Sequence, residues 1–312
     1  MEGIVTKSTG SWYSVRTEKG TQYDCRIPGR FRMKGIKSTN PVAVGDKVSF
    51  NLEQDKKTGV IQEIHDRKNY IVRKSVNLSK QTHIIASNID IAFLLVTIDN
   101  PPTSTGFIDR FLATAEAYSI PVILLFNKVD IYTEEDRLLN QELTAVYTEI
   151  GYQCIDVSAT TGHNIELVKA IMKDKVSMFS GHSGVGKSTM INAVEEGLNL
   201  KTGEVSKQHK QGIHTTTFAE MFTLTFGGYI IDTPGIKGFG VVAFSKEEIG
   251  DYFPEIFKIK GGCKFNNCIH MNEPHCVVKD AVATDVIAIS RYTSYLQLLD
   301  DEEQHYRVDI YN

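Results

Sequence analysis

A small β-barrel, an α/β domain with a parallel sheet, and a mostly helical domain gathered around a metal are what the sequence predicts, in that order along 312 residues. Three observations carry this. Residues 1–68 hold five short runs of alternating apolar and polar residues, separated by turns and without a helical period. The middle of the chain alternates short apolar runs with amphipathic stretches, the pattern of βαβ units. Residues 263–276 crowd three cysteines and two histidines together. The expected domains are 1–68, 69–236 and 237–312.

Composition narrows the class. The chain is 41% hydrophobic and 23% charged, with a formal net charge of −4. No run approaches the ~20 apolar residues of a membrane span. Met1 to Lys7 lacks the basic-then-apolar pattern of a secretory leader, so a cytoplasmic location is expected. Cys25 and Cys154 stand alone, and in a reducing compartment the remaining three cysteines suggest metal rather than disulfides. Residues 1–68 carry thirteen Lys/Arg against eight Asp/Glu, whereas Asp300 to Glu303 are all acidic. A basic module on an acidic protein fits an anionic partner.

The barrel strands are expected at Gly3–Thr6, Trp12–Arg16, Thr21–Arg26, within 42–50 and at 59–64. Five such strands suggest an OB-fold. Its middle loop carries Arg26, Arg30, Phe31, Arg32, Lys34 and Lys37. Positive charge beside an aromatic ring would hold a nucleic-acid backbone and stack a base, and the competing reading is a solvated loop. Asp66 to Tyr70 is a polar break, and residues 71–88 are polar and mixed.

Ile89 to Thr97 is the first buried strand, Phe107 to Tyr118 a helix, and Pro121 to Phe126 a second buried strand. Strand, helix and strand in that order imply a parallel sheet. At the end of the second strand stands Asn127-Lys128-Val129-Asp130, N-K-x-D. The Asp130 carboxylate would accept from the ring N–H and amine of guanine, donors that adenine lacks there. Asn127 would bond the other edge of the base, and the Lys128 stem would cover its face. Thr133 to Ile150 is an amphipathic helix. A strand at 152–157 ends in Ser158-Ala159, whose backbone would support the guanine carbonyl, and a helix at 162–173 follows.

Val176 to Ser180 then forms a strand leading into Gly181-His182-Ser183-Gly184-Val185-Gly186-Lys187-Ser188-Thr189, a phosphate-binding loop. Its glycines let N–H groups face phosphate oxygens at a helix N-terminus. Lys187 would reach the terminal phosphates, and the Ser188 hydroxyl would sit on magnesium. A polar, glycine-bounded stretch leads to His214-Thr215-Thr216-Thr217, where a threonine fits a first switch that ligates magnesium. A strand at 218–226, a Gly227-Gly228 turn and a strand at 229–231 lead to Asp232-Thr233-Pro234-Gly235. This D-x-x-G would place Asp232 near the metal and the Gly235 N–H at the γ-phosphate. Ile236 follows, where many GTPases carry the glutamine that orients water. His214 is the candidate to do so instead; the competing reading is a histidine that packs or touches a partner.

The parts of a GTPase are thus all present, in rotated order: the guanine-reading motifs come first, the phosphate loop next and D-x-x-G last. Past them, Cys263, Cys268 and Cys276 with one histidine suit a closed Cys₃His zinc site. His270 and His275 compete for the fourth position. Four protein ligands leave no open position for catalysis. Val277 to Leu299 is expected to be one helix, with Tyr292, Tyr295, Leu296 and Leu299 on its apolar stripe.

Together these motifs resemble the RsgA/YjeQ family of circularly permuted bacterial GTPases, over the whole chain. The resemblance implies GTP hydrolysis in late maturation of the small ribosomal subunit, stimulated by that subunit, with rRNA contacts from the OB-fold and the zinc domain. It supports Cys263, Cys268, His270 and Cys276 as zinc ligands. Ile213 departs from the basic residue common in the family before the His-Thr-Thr-Thr run. A monomer off the ribosome is expected. The alternatives are a translation or signalling GTPase outside ribosome assembly and a non-enzymatic RNA-binding adaptor; intact Lys187, Ser188, Asp130 and Asp232 oppose the latter.

Overall fold

The computed structural model describes residues 1–28, 41–53, 57–74, 82–198, 219–232 and 245–309. The first five strands are β1 (Glu2–Ser8), β2 (Tyr13–Arg16), β3 (Gln22–Arg26), β4 (Lys47–Leu52) and β5 (Thr58–Ile64). They run in the order β1-β2-β3-β5-β4, and β4 returns to pair with β1, closing a barrel. All pairs are antiparallel except β3 with β5, the arrangement of an OB-fold. Inward positions alternate with outward ones, so Val5, Tyr13, Val15, Cys25, Val48, Phe50 and Ile61 make the barrel's own core.

A hairpin follows, β6 (Tyr70–Lys74) with β7 (Thr82–Ser87). The sequence reading placed no element here. Ile71 and Ala86 are buried, but a polar composition and a bulge after Ile71 hide the alternation. The barrel is fixed to this hairpin by Asp46, which is wholly buried. Its carboxylate accepts from Arg67 Nε at 2.6 Å and from Ser87 Oγ at 2.6 Å.

The central sheet contains β8 (Ile91–Val96), β9 (Val122–Asn127), β10 (Gln153–Val157), β11 (Val176–Ser180), β12 (Glu220–Thr223) and β13 (Tyr229–Asp232). The order is β10-β9-β8-β11-β13-β12, parallel apart from β12. β8 is buried on both faces: Ala92, Leu94 and Val96 join one core, Ile91, Phe93 and Leu95 the other. The first face is covered by α1 (Thr105–Ala117) and α2 (Glu134–Ile150), the second by α3 (Ile165–Met172) and α4 (Lys187–Val194). α1 starts at Ser104, whose side chain accepts from the Phe107 N–H. Thr133 and Asp136 form a capping box on α2, and Gly151 closes it in the left-handed region.

The C-terminal part is helical: α5 (Lys246–Ile249), α6 (Pro254–Ile259), α7 (Val277–Ala283) and α8 (Ile289–Asp309). One helix was expected from Val277 to Leu299, and the structure has two. Asp285 takes φ 58° and Ile287 turns inward to 2% exposure, which breaks the helical path. A fourth core forms around Ile249, Phe253, Ile256, Val278, Tyr295 and Leu299. Among the described residues no helix is long and apolar enough to cross a membrane.

Candidate functional site

In a parallel sheet the C-terminal strand ends share one edge, and ligands gather there. β9 ends at Asn127, β10 at Val157 before Ser158-Ala159, β11 at Ser180 before Gly181, and β13 at Asp232. Four sequence motifs therefore meet at one place despite their rotated order.

The phosphate loop turns from β11 into α4 with Gly181, Gly184 and Gly186 all at positive φ. At Gly186, φ is +97° and a Cβ would sit 2.6 Å from Asn127 Nδ2, so a side chain is excluded by both backbone and space. Val185 is fully buried and anchors the loop, while Ser183, Gly184 and Thr189 are exposed. Lys187 folds back over the loop, donating to Gly181 O at 2.7 Å and to His182 O at 2.6 Å. Burial lowers its pKa. Ser188 stands in the first turn of α4.

Asn127 is 2% exposed, and the protein uses both ends of its amide. Nδ2 donates to Val185 O at 2.8 Å, and Oδ1 accepts from the Ala159 N–H at 3.2 Å. This one side chain joins the phosphate loop to the Ser158-Ala159 loop. Tyr132 donates to the Asn127 carbonyl at 3.2 Å, and Ser158 Oγ accepts from the Thr161 N–H at 3.1 Å. Lys128 adopts the left-handed conformation, and its ammonium donates to Gly184 O at 2.9 Å and to Asn100 O. Its ammonium thus bridges the phosphate loop to the segment that follows β8. Asp130 is exposed in the short turn that follows.

Phe107 was read only as a helix residue. Its ring centroid lies 3.6 Å from that of His182, which clasps the phosphate loop to α1. Nothing in a helical pattern marks such a contact. His182 has its pKa lowered by burial and by the Lys187 charge.

β13 brings the backbone of Asp232 to the edge of the sheet. His214, Thr215, Thr216, Gly235 and Ile236 lie outside the described residues, as do Arg30, Phe31, Arg32, Lys34 and Lys37 of the barrel loop. Arg26 closes β3 and pairs with Glu53.

The metal ligands expected from sequence come together. One donor atom from each of Cys263, Cys268, His270 and Cys276 lies within 4.8 Å of the others. His270 Nδ1 stands 3.4 Å from Cys276 Sγ and 3.6 Å from Cys263 Sγ, and the two sulfurs are 3.9 Å apart. Tetrahedral zinc needs about 3.8 Å between sulfurs and about 3.5 Å from sulfur to nitrogen, given its usual bond lengths. The donor set fits. His275 is exposed and outside the cluster.

Three residues to which the sequence pattern assigns no part in the metal site hold the ligand loop. The Glu273 carboxylate accepts from the N–H groups of Ile269, Met271 and Asn272 at 2.7, 2.9 and 3.0 Å. Tyr292 donates to His270 O at 2.6 Å and Tyr295 to Ile269 O at 2.8 Å. The tyrosines of the apolar stripe are therefore core residues with a second task at their hydroxyls.

A phosphate loop on β11, a guanine motif on β9 and a D-x-x-G strand on β13, encountered in the order guanine, phosphate, switch, define a circularly permuted P-loop GTPase. Residues 64–242 match the RsgA GTPase family and residues 2–61 the RsgA N-terminal domain. The chain belongs to the RsgA GTPase family. It is 63% identical to the small ribosomal subunit biogenesis GTPase RsgA of Flavobacterium psychrophilum, covering 100% of this chain and 96% of the relative. Identity is 62% with the protein of that name from Christiangramia forsetii, covering 100% and 99%. Among solved structures, YjeQ from Thermotoga maritima matches with a TM-score of 0.79 at 33% identity, over 96% of this chain and 98% of that one. YloQ, a circularly permuted GTPase, matches with a TM-score of 0.76 at 28% identity, over 97% and 95%.

Proposed function

We propose that this GTPase hydrolyses GTP to GDP and phosphate in late maturation of the small ribosomal subunit, and that the subunit stimulates turnover. The convergence of the guanine and phosphate motifs on one sheet edge supports the reaction, and full-length relatives named for small-subunit biogenesis support the setting. The barrel and the C-terminal domain contact rRNA, the first through Arg26, Arg30, Phe31, Arg32, Lys34 and Lys37. Off the subunit the protein is a cytoplasmic monomer.

The backbone of Gly181 to Thr189 cradles the phosphates, with Lys187 on the terminal ones. Asp130 reads guanine, Lys128 covers its face, and the Ser158-Ala159 backbone meets its carbonyl. Asn127 sets the spacing between the base site and the phosphate site. Ser188, Asp232, Thr215 and Thr216 hold magnesium, which when bound neutralises charge developing on the phosphate oxygens. The Gly235 N–H meets the γ-phosphate. Ile236 has no group to orient water, so that task falls to His214. Zinc at Cys263, Cys268, His270 and Cys276 is structural.

The deciding experiment is GTP turnover with and without purified small subunits, together with release from the subunit upon hydrolysis. Slow intrinsic turnover, strong stimulation and release are expected. Subunits that leave turnover unchanged would refute the assignment. Stimulated turnover that survives His214→Ala with nucleotide binding intact would remove the role given to His214.

A further inference from the structure

Beside the ligand loop lies an open cavity of about 350 Å³, lined in part by Phe257, Lys260, Phe265, Asn266 and Asn267. Phe257 is 58% exposed and Phe265 41%. Isolated exposed apolar residues are ordinary, but here two rings converge on one cavity. α6 commits Ile256 to the core, which leaves its neighbour Phe257 on the outer face. Phe265 stands on the loop between Cys263 and Cys268, whose ends are tied to the ligand cluster. A loop anchored at both ends presents its aromatic ring with little ordering cost on binding.

Charge accompanies each ring. Lys260 Nζ lies 5.6 Å from the Phe257 centroid and Lys264 Nζ 5.7 Å from that of Phe265. Lys260 also pairs with Asp251, and Glu247 adds an acidic group to the lining. Asn266 and Asn267 are exposed and offer amide donors and acceptors at the rim. Three of the four metal ligands, Cys263, Cys268 and His270, close its inner end, so the space left beside the metal is the mouth framed by the two rings, the asparagines and Lys260.

We propose that this cavity holds one unpaired base of single-stranded RNA, stacked on Phe257 or Phe265. Asn266 and Asn267 bond the base edge, and Lys260 and Lys264 face the flanking phosphates. Aromatic stacking suits any base, because each has a π-face, and unpaired bases are the ones that can be splayed out into a pocket. The proposal rests on the reading that the C-terminal domain contacts rRNA.

The test uses the full-length, zinc-loaded protein with a fluorescent single-stranded RNA and a duplex of the same length, over a range of salt. The variants are Phe257→Ala with Phe265→Ala, the corresponding pair to tyrosine, and Lys260→Gln with Lys264→Gln; zinc content checks each fold. The alanine pair should weaken single-strand binding about five- to hundredfold, the loss of a stacked base, without changing the salt slope. Tyrosine should retain binding, duplex binding should not change, and the lysine variant should lower the salt slope. Wild-type single-strand affinity in the zinc-replete alanine pair would overturn the proposal. So would equal loss toward both RNAs, or a loss seen only with whole subunits, which would indicate a protein partner. Stimulation of the wild-type GTPase by small subunits is read in parallel. It survives if only the base pocket is wrong, and is absent if the function itself is wrong.

Discussion

Arg291 of α8 donates to Asp109 of α1 at 2.6 Å, with side-chain exposures of 1% and 0%. Glu255 of α6 takes the other edge of the guanidinium, at 2.7 Å from Nε. Tyr147 of α2 donates to the same Asp109 oxygen at 2.8 Å, and the Phe253 ring lies 4.6 Å from the cation. Two helices of the central domain and two of the C-terminal domain meet at one buried charge. Asp109 and Glu255 hold the Arg291 pKa above its ordinary value against the opposing effect of burial. Two residues before Asp109, Phe107 packs its ring against His182 of the phosphate loop.

Arg291→Met should destabilise the protein by about 3–5 kcal/mol, since it leaves Asp109 and Glu255 without their cation. Replacing Asp109 and Glu255 by apolar residues in the same background should recover much of the loss. Urea unfolding midpoints measure both. A change near zero in the single variant would show that the pair contributes no net stability.

Asn127→Ala removes the tie between the phosphate loop and the Ser158-Ala159 loop. Two buried hydrogen bonds of about 1 kcal/mol each predict a melting temperature lower by several degrees, together with weaker GDP binding because the two loops lose their common anchor. Isothermal titration and thermal melts separate these effects.

His182 should titrate below its ordinary value of 6.5, because burial and Lys187 disfavour the imidazolium. The sign follows from linkage: with the folded pKa depressed, the contribution to stability is complete above pH 6.5 and is lost as pH falls through the folded midpoint. NMR of the imidazole proton measures that midpoint. Lys187→Met should move it upward, and an unchanged midpoint would remove the charge contribution.

Chelation of the metal should unfold the C-terminal helices while the barrel stays folded, because the barrel has its own core. Tyr292→Phe, which loses only the bond to His270 O, should cost about 1 kcal/mol and keep full metal content. Helical circular dichroism and metal analysis check these outcomes.

The barrel, the parallel sheet and the ligand cluster were legible because each depends on local pattern: alternation, buried runs and Cys/His spacing. What escaped depends on pairs distant in sequence. Nothing in the sequence singles out Asp109 or Arg291 from other helix charges, and only packing of α1 on α8 shows that both are buried. Asn127 read as a base contact, because a motif shows which residue is present and not which carbonyl it meets. The β6–β7 hairpin escaped for a local reason, since its bulge interrupts the alternation that would have revealed it.

β1 of the barrel and β12 of the central sheet share a register at Lys7 and Glu220, and Glu220 lies opposite Asp232 on β13. Lys7 also bonds Glu220 at 3.2 Å. One strand pairing and one ion pair thus join the barrel to the hairpin that ends at Asp232. A displacement of the barrel would therefore be passed first to β12 and then to β13, the strand whose backbone ends at Asp232.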